Sequence, residues 1–168
     1  MEEHARRTTP RDAPFLREFL AMDMDERWVG RSPRVMAETF HWFRGEGFGL
    51  IVEDLLRLPR DRCVVVEGFR LLPRLVRPLL DAPGHAVWLL PTPGFRKAAI
   101  EGRAAPGDGF VGRTGDPERA ARNLAERDAL FVERLTRETG ELGLDTVRVE
   151  VGMTEEEVVR RVGGVFGV

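Results

Sequence analysis

Apolar residues recur at helical spacing through the first third of the chain. One face of the first predicted helix carries Phe15, Leu16, Phe19 and Leu20. These residues follow a Thr-Pro pair suited to a helix start. Residues 1–9 carry charge without apolar periodicity, so we expect a loose arm there and a charged connector at 23–28. The pattern predicts three helices, over about residues 10–22, 33–44 and 50–58.

After Pro59 the pattern changes to short apolar runs that are typical of strands. The β-branched run at 63–66 has no polar alternation, which indicates a strand covered on both faces of a parallel sheet. Residues 146–151 alternate valines with charged residues and predict a half-exposed strand. Other segments predict a strand over 86–90, helices over about 71–80, 93–102 and 116–139, and a last helix capped by Thr154 and Glu157.

Strands that alternate with helices favour right-handed parallel crossovers, so the sequence predicts an α/β fold. We expect a three-layer α/β/α arrangement with a small parallel sheet near residues 63–67, 86–90 and 146–151. The length of 168 residues fits one domain. Its expected parts are an arm at 1–9, a helical front region at 10–60, and the sheet, lid-like loop and closing helices at 61–168.

Composition and charge exclude several classes of protein. No apolar run reaches the ~18 residues of a membrane span, and the N-terminus lacks a signal-peptide layout, so we expect a soluble cytoplasmic protein without a membrane partner. The net charge of −2 gives no basic field for nucleic acid. The single cysteine, Cys63, is expected to be buried, and the three histidines are too scattered to predict a metal site.

Glu67 follows the first predicted strand and is the first candidate for chemistry. Ligands of open parallel sheets bind outside the carboxyl ends of the strands. A carboxylate there, followed by Gly68, could hold a Mg²⁺-bound water or accept a substrate proton. The alternative is that Glu67 caps the next helix or pairs with Arg70.

Arginines gather in and after the glycine-rich segment 103–115, which has four glycines and a proline and is expected to be flexible. A mobile segment that brings arginines over a cleft suits phosphoryl transfer. The alternative is a solvated helix face with pairs such as Glu118 and Arg122. Asp128 falls in the apolar stripe of this helix, so we expect it to have an arginine partner. The lid candidates are Arg113, Arg119, Arg122 and Arg127.

A second candidate group lies in the front helices. Aromatic residues there alternate with acids and arginines, which could line a pocket for a polar substrate. The alternative is that the tryptophans pack in the core and the charges surround them. The pocket candidates are Asp25, Arg27, Trp28, His41, Trp42, Arg44 and Glu53.

The order of parts, with the runs Val66-Glu67-Gly68 and Val87-Trp88-Leu89-Leu90 and the stretch from Gly112 through Arg119 to Arg127-Asp128, resembles small P-loop kinases of the adenylate, cytidylate and shikimate kinase group. The resemblance covers about residues 10–165, through order and spacing more than identity. It implies that Glu67 is the catalytic acid after the Walker B-like strand. It also implies that the lid candidates are lid arginines. The flexible loop at 103–115 and the position of Arg119 and Arg127 on one side of the 116–139 helix further predict that Arg113, Arg119 and Arg127 converge on one anion site beside Glu67.

One part of the kinase pattern is missing. The chain contains no Gly-x-x-x-x-Gly-Lys-Ser/Thr loop, and its only lysine, Lys97, stands in Phe-Arg-Lys-Ala. We therefore expect a kinase-like domain without its first ~40 residues, the size of one strand–loop–helix–strand unit. ATP and Mg²⁺ would be cofactors of a longer relative, and neither is expected to bind tightly to this chain.

Three functions stay open at this point. The chain is a truncated or inactive phosphotransferase, a non-catalytic module that binds a nucleotide, a phosphate ester or a protein, or an unrelated structural α/β domain. A small phosphorylated or nucleotide ligand is the expected partner. A homodimer is also expected, because a sheet that lacks a strand exposes an unpaired edge.

Overall fold

The computed structural model of the chain describes residues 2–101 and 109–168. In the first range, helices α1 to α7 are followed by strand β1 and helix α8; the second range holds α9, β2 and α10. The helices are Glu2–Arg7, Pro14–Ala21, Met24–Trp28, Pro33–Thr39, His41–Arg44, Phe48–Leu56, Pro73–Val76, Pro93–Glu101, Pro117–Glu141 and Glu155–Phe166, and the strands are Val87–Pro91 and Asp145–Val149. Single 3₁₀ turns form at Arg77–Leu79, Pro83–His85 and Val111–Arg113.

Three helix starts follow the capping signals of the sequence, whereas the start predicted at Thr9-Pro10 is wrong, because α2 begins at Pro14 after Ala13, without a side-chain cap. Ser32 accepts a hydrogen bond from the Val35 amide at the start of α4, before Pro33. Asp116 does the same for the amide of Arg119 at the start of the 25-residue helix α9, and Thr154 for the amide of Glu157 in α10. Side-chain oxygens there satisfy amides that have no partner inside the helix.

Two front segments depart from the predictions. The arm expected at 1–9 is helical over α1, because Arg7 holds both carboxylate oxygens of Asp54 on α6 at 2.7 Å. The connector expected at 23–28 forms α3, whose capping box pairs Asp23 with Glu26.

The helices predicted over 33–44 and 71–80 are each interrupted. The first divides at Phe40, which has an extended backbone with ψ of 115° between α4 and α5. The second is the single turn α7 followed by a 3₁₀ turn that contains Pro78. A proline inside a helix supplies no amide for the helical hydrogen bond, which accounts for the second interruption.

The sheet has two described strands, β1 and β2, which are parallel as predicted. Leu89 lies opposite Val147, and the register runs from Val87 with Asp145 to Pro91 with Val149. Val147 is buried while its neighbours Thr146 and Arg148 are exposed, so the half-exposed character expected of β2 is confirmed. The mixture of helices with a parallel strand pair fits the α/β class. The three-layer arrangement stays a prediction.

The prediction of a strand over residues 63–67 is wrong. This segment has neither helix nor strand, and all five side chains are exposed, with Val65 at 89%. No backbone hydrogen bond joins it to the rest of the described chain. Cys63 is exposed as well, against the expected burial. A β-branched run forms a strand only when a neighbouring strand pairs with it, and neither described strand does so.

The main core lies between the front helices and α9. Phe19, Trp28, Met36 and Phe43 pack there with Leu72, Ala120 and Phe131. A second cluster of Trp88, Leu90 and Leu144 lies at the sheet, and Leu135 of α9 contacts both clusters. Helix α9 thus packs against both the front helices and β1, and a cavity lies beside these contacts.

The structure describes only part of the lid-like loop predicted over residues 103–115. Residues 103–108 of the lid-like loop lie outside the described residues, and residues 111–113 of it form a 3₁₀ turn.

Within the described ranges, no helix is both long enough and apolar enough to cross a membrane.

Candidate functional site

An open cavity of about 750 Å³ lies between the front helices, β1, α8 and α9. Nine of the 21 described residues that line it are aromatic. The rings come from elements far apart in sequence, so only the tertiary fold assembles them. They belong to Phe19, Trp28, Phe40, Trp42, Phe43, Phe69, Phe95, Phe110 and Phe131.

Several of these rings are arranged in contacting pairs. Phe43 and Phe131 are stacked, with centroids 3.7 Å apart and planes within 2°. Trp28 contacts Phe110 at 5.2 Å, and Trp42 contacts Phe69 at 5.3 Å. Phe69 and Phe110 are about half exposed, so both belong to the mouth of the cavity. Flat apolar surfaces of this kind accept a flat or apolar ligand body.

Among the described residues, the charged side chains of the wall belong to three arginines and one acid. They are Arg27, Arg96, Arg127 and Asp128. The wall therefore has an excess of two positive charges (three minus one), although the whole chain has a net charge of −2. A positive site with apolar walls favours an anionic ligand.

Arg127 is the most deeply placed of these charges, with 9% of the residue exposed. Its guanidinium carbon lies over the rings of Trp28, Phe40 and Phe43, at 5.4, 4.9 and 5.3 Å from the centroids. Its Nε and Nη2 both donate to Oδ1 of Asp128, at 2.9 and 2.6 Å. Cation–π contacts and the carboxylate together hold a charge that would otherwise be costly to bury.

Other hydrogen bonds fix the rim of the cavity. Arg27 donates to the carbonyls of Phe19 and Leu20, which lie in the last turn of α2. Asn123 of α9 donates to the carbonyls of Trp28 and Val29. These bonds tie α2, α3 and α9 together, so the Trp28 wall has a fixed position relative to Arg127.

The predicted front pocket is divided by the structure. Arg27, Trp28 and Trp42 line the cavity. Asp25 instead accepts the Gly115 amide at 2.7 Å, and exposed Glu53 lies 3.7 Å from Arg7. Exposed Arg44 lies over the ring of Phe15, and His41 is in the core.

His41 is fully buried and makes ring contacts with Phe19, Phe40 and Trp42. Neither ring nitrogen has a hydrogen-bond partner among the described residues. Burial lowers the pKa of His41 to about 4, and the nearby positive charges of His4 and Arg70 act in the same direction. His41 is therefore neutral at pH 7 and packs as a core ring.

The predicted lid arginines do not gather at one place. Arg127 lines the cavity, whereas Arg113, Arg119 and Arg122 are exposed. Arg122 pairs with Glu118 at 3.5 Å, which is the alternative considered from the sequence. Glu67 is exposed in the unpaired segment 63–67, and the structure does not place it with these arginines.

Asp128 has the arginine partner that its position predicted, but the burial is reversed. The Asp128 side chain is 52% exposed and the Arg127 side chain only 11%. The helical pattern predicted that Asp128 lies in the apolar stripe of α9. In the structure, the rings of the front helices cover Arg127 instead.

Sequence reasoning missed Phe69, Phe95, Arg96 and Phe110. A signal for two of them was present, because Phe95 and Arg96 follow the carboxyl end of β1, where ligands of parallel sheets bind. Phe69 and Phe110 lie in irregular segments with no periodic pattern, so only the fold reveals their role.

The residues present do not fit Mg²⁺-ATP, which the kinase resemblance implies. Phosphate chains are held by glycine-rich backbone with a lysine and a hydroxyl residue, whereas Lys97 lies on α8 between Arg96 and Ala98. Glu67 stands on an exposed segment without regular structure. Among residues 2–101 and 109–168, no three His, Cys, Asp or Glu side chains cluster as metal ligands.

No protein-family model, curated protein or solved structure matches this chain. The chemistry of the site therefore rests on its geometry. That geometry offers apolar stacking surfaces and guanidinium groups, which bind anions.

Proposed function

We propose that the chain is a kinase-like domain that binds a small phosphorylated or nucleotide ligand in the aromatic cavity. In this proposal it does not transfer a phosphoryl group by itself. The observation that carries the proposal is the combination of aromatic walls with three arginines against one acid.

The aromatic surface and the arginines suit the two parts of such a ligand. A base or another apolar group would lie against the rings near Trp28 and Trp42, which are open to the cavity. A phosphate group accepts several hydrogen bonds and matches the planar fork of arginine. Arg96 and Arg127 lie on different helices, α8 and α9, so a ligand between them would bridge the two.

A binding titration tests the proposal. Phenyl phosphate, adenosine monophosphate and inorganic phosphate are added while tryptophan fluorescence is recorded, since Trp28 and Trp42 line the cavity. Arg127→Gln and, separately, Arg96→Gln should each weaken binding of the two esters about tenfold, because a charge-assisted hydrogen bond contributes ~1.5–3 kcal/mol. Circular dichroism confirms that each variant is folded.

The matched control is Arg160→Gln, at an exposed position of α10 outside the cavity. It removes the same charge and should leave the dissociation constants unchanged. Equal weakening by all three variants would indicate a general charge effect, and the absence of any binding would contradict the proposal.

Phosphoryl transfer is tested separately. The purified chain should show no Mg²⁺-dependent ATP hydrolysis or kinase activity above background, because the sequence has no loop to hold the β- and γ-phosphates. Turnover that disappears in Glu67→Gln would contradict this expectation. It would mean that another segment replaces the loop.

A further inference from the structure

Arg127 and Asp128 form an unusual pair, because they are adjacent on helix α9. Side chains at i and i+1 of a helix point in different directions and do not normally face each other. Here both Nε and Nη2 of Arg127 nevertheless reach Oδ1 of Asp128, at 2.9 and 2.6 Å. The two side chains must therefore bend towards each other to form these bonds.

The pair is also asymmetric in burial. Arg127 is held in place by the rings of Trp28, Phe40 and Phe43, whereas just over half of the Asp128 side chain is exposed. The cation is thus fixed, and the acid lies on the solvent side of it. Both line the same cavity.

From this geometry we infer that Asp128 is a built-in competitor for the anion site. Its carboxylate takes the place on Arg127 that the ligand's anionic group would occupy, and it must move aside before that group binds. This inference rests on the proposed function, because it concerns the same cavity. It adds a regulatory contact: the chain holds its own anion until a stronger one replaces it.

The physical reason is the burial of the Arg127 charge. A buried guanidinium without a counter-charge destabilises a fold, so an acid beside it stabilises the protein before ligand binds. The same acid then opposes binding in two ways. The ligand must replace the two hydrogen bonds to Oδ1, and its negative charge meets that of Asp128.

The experiment compares the wild-type chain with Asp128→Asn, which keeps the size of the side chain and removes its charge. Phenyl phosphate is the probe, at fixed ionic strength. Asp128→Asn should bind it at least tenfold more tightly than wild type. Without ligand the variant should melt at a lower temperature, and phenyl phosphate should raise its melting temperature more than that of wild type.

Two controls separate the local contact from a general change in charge. Glu133→Gln removes one negative charge from an exposed position of the same helix and should leave affinity unchanged. In the Arg127→Gln background, Asp128→Asn should change affinity less than twofold, because the competition needs the guanidinium. Asp128→Ser is made in parallel, so that the result does not depend on one variant folding.

The outcomes distinguish this inference from the proposed function. One outcome is that wild type binds phenyl phosphate, Arg127→Gln weakens this binding, and the Asp128 variants bind no more tightly than wild type. The inference is then wrong and the proposed function stands. If neither wild type nor the Asp128 variants bind the probe, both are wrong. If Glu133→Gln tightens binding as much as Asp128→Asn, the contact has no specific role.

Discussion

His41 illustrates how a single side chain can differ from its sequence interpretation. A histidine among aromatic and charged residues suggests a substrate pocket, but this one is fully buried against three rings. Both ring nitrogens lack partners in the described part of the chain. The neutral imidazole packs as a flat ring against these aromatic side chains. It stays neutral at pH 7 because burial lowers its pKa to about 4.

We expect His41 to make the stability of the protein depend on pH. Its pKa is about 4 in the folded state, against the ordinary histidine value of about 6.5 in the unfolded chain, so the unfolded chain takes up the proton first. The contribution of neutral His41 to the free energy of unfolding is fully present above pH 6.5. It falls by up to about 3 kcal/mol as the pH decreases towards 4. Urea unfolding at pH 7.5 and pH 4.5 measures this loss.

His41→Leu is the matched variant for this pH profile, because leucine fills a similar volume and cannot titrate. Its stability should fall less than that of wild type between the two pH values, by about 2–3 kcal/mol. The other titrating groups contribute to both proteins and cancel in the comparison. Parallel profiles for the two proteins would show that His41 is already exposed or hydrogen-bonded in solution.

At the scale of elements, residues 63–67 show that valines in two predicted strands can lie in the core or at the surface. Val64, Val65 and Val66 are 43%, 89% and 39% exposed, while Val147 of β2 is 5% exposed. The difference is pairing: β2 lies against β1, and the 63–67 segment has no described strand beside it. Composition alone does not distinguish the two cases.

A pair of identical substitutions measures this difference. Val65→Thr should change the free energy of unfolding by less than ~0.5 kcal/mol, as expected for a surface position. Val147→Thr should lower it by about 1–3 kcal/mol, because a hydroxyl is buried without a prepared partner. Chemical unfolding at two protein concentrations gives both values.

An equal loss in both variants would contradict the exposed position of Val65. A loss for Val65→Thr that appears only at the higher protein concentration would indicate that the predicted homodimer covers this segment. That association stays a prediction.

At the scale of the whole molecule, local signals predicted the helices better than the site. Caps at Ser32, Asp116 and Thr154 are encoded within four residues, and the structure has helices starting there. The parallel pairing of β1 with β2 also followed from the order of elements. The site depends on contacts between distant segments, which spacing cannot show.

Arg27, Trp28, Trp42 and Arg127 were expected in two separate places, and the packing of the front helices on α9 brings them to one cavity. The convergence of Arg113 and Arg119 with Arg127 was expected from the flexible loop and from the spacing of the arginines along the helix. In the structure Arg119 is exposed because only one face of α9 meets the front helices, and Arg113 is exposed in the 3₁₀ turn that precedes α9.

The hydrogen bonds from Asn123 to the front helices span up to 95 residues of sequence. The front helices leave the ribosome long before α9 exists to cover them. At about 5–20 residues per second, synthesis of this interval takes about 5–20 s. During that time Phe19, Phe40 and Phe43 have no Phe131 or Ala120 to pack against, so the nascent chain presents its most aromatic surface to the cell and is a natural client for a chaperone that binds exposed apolar helices.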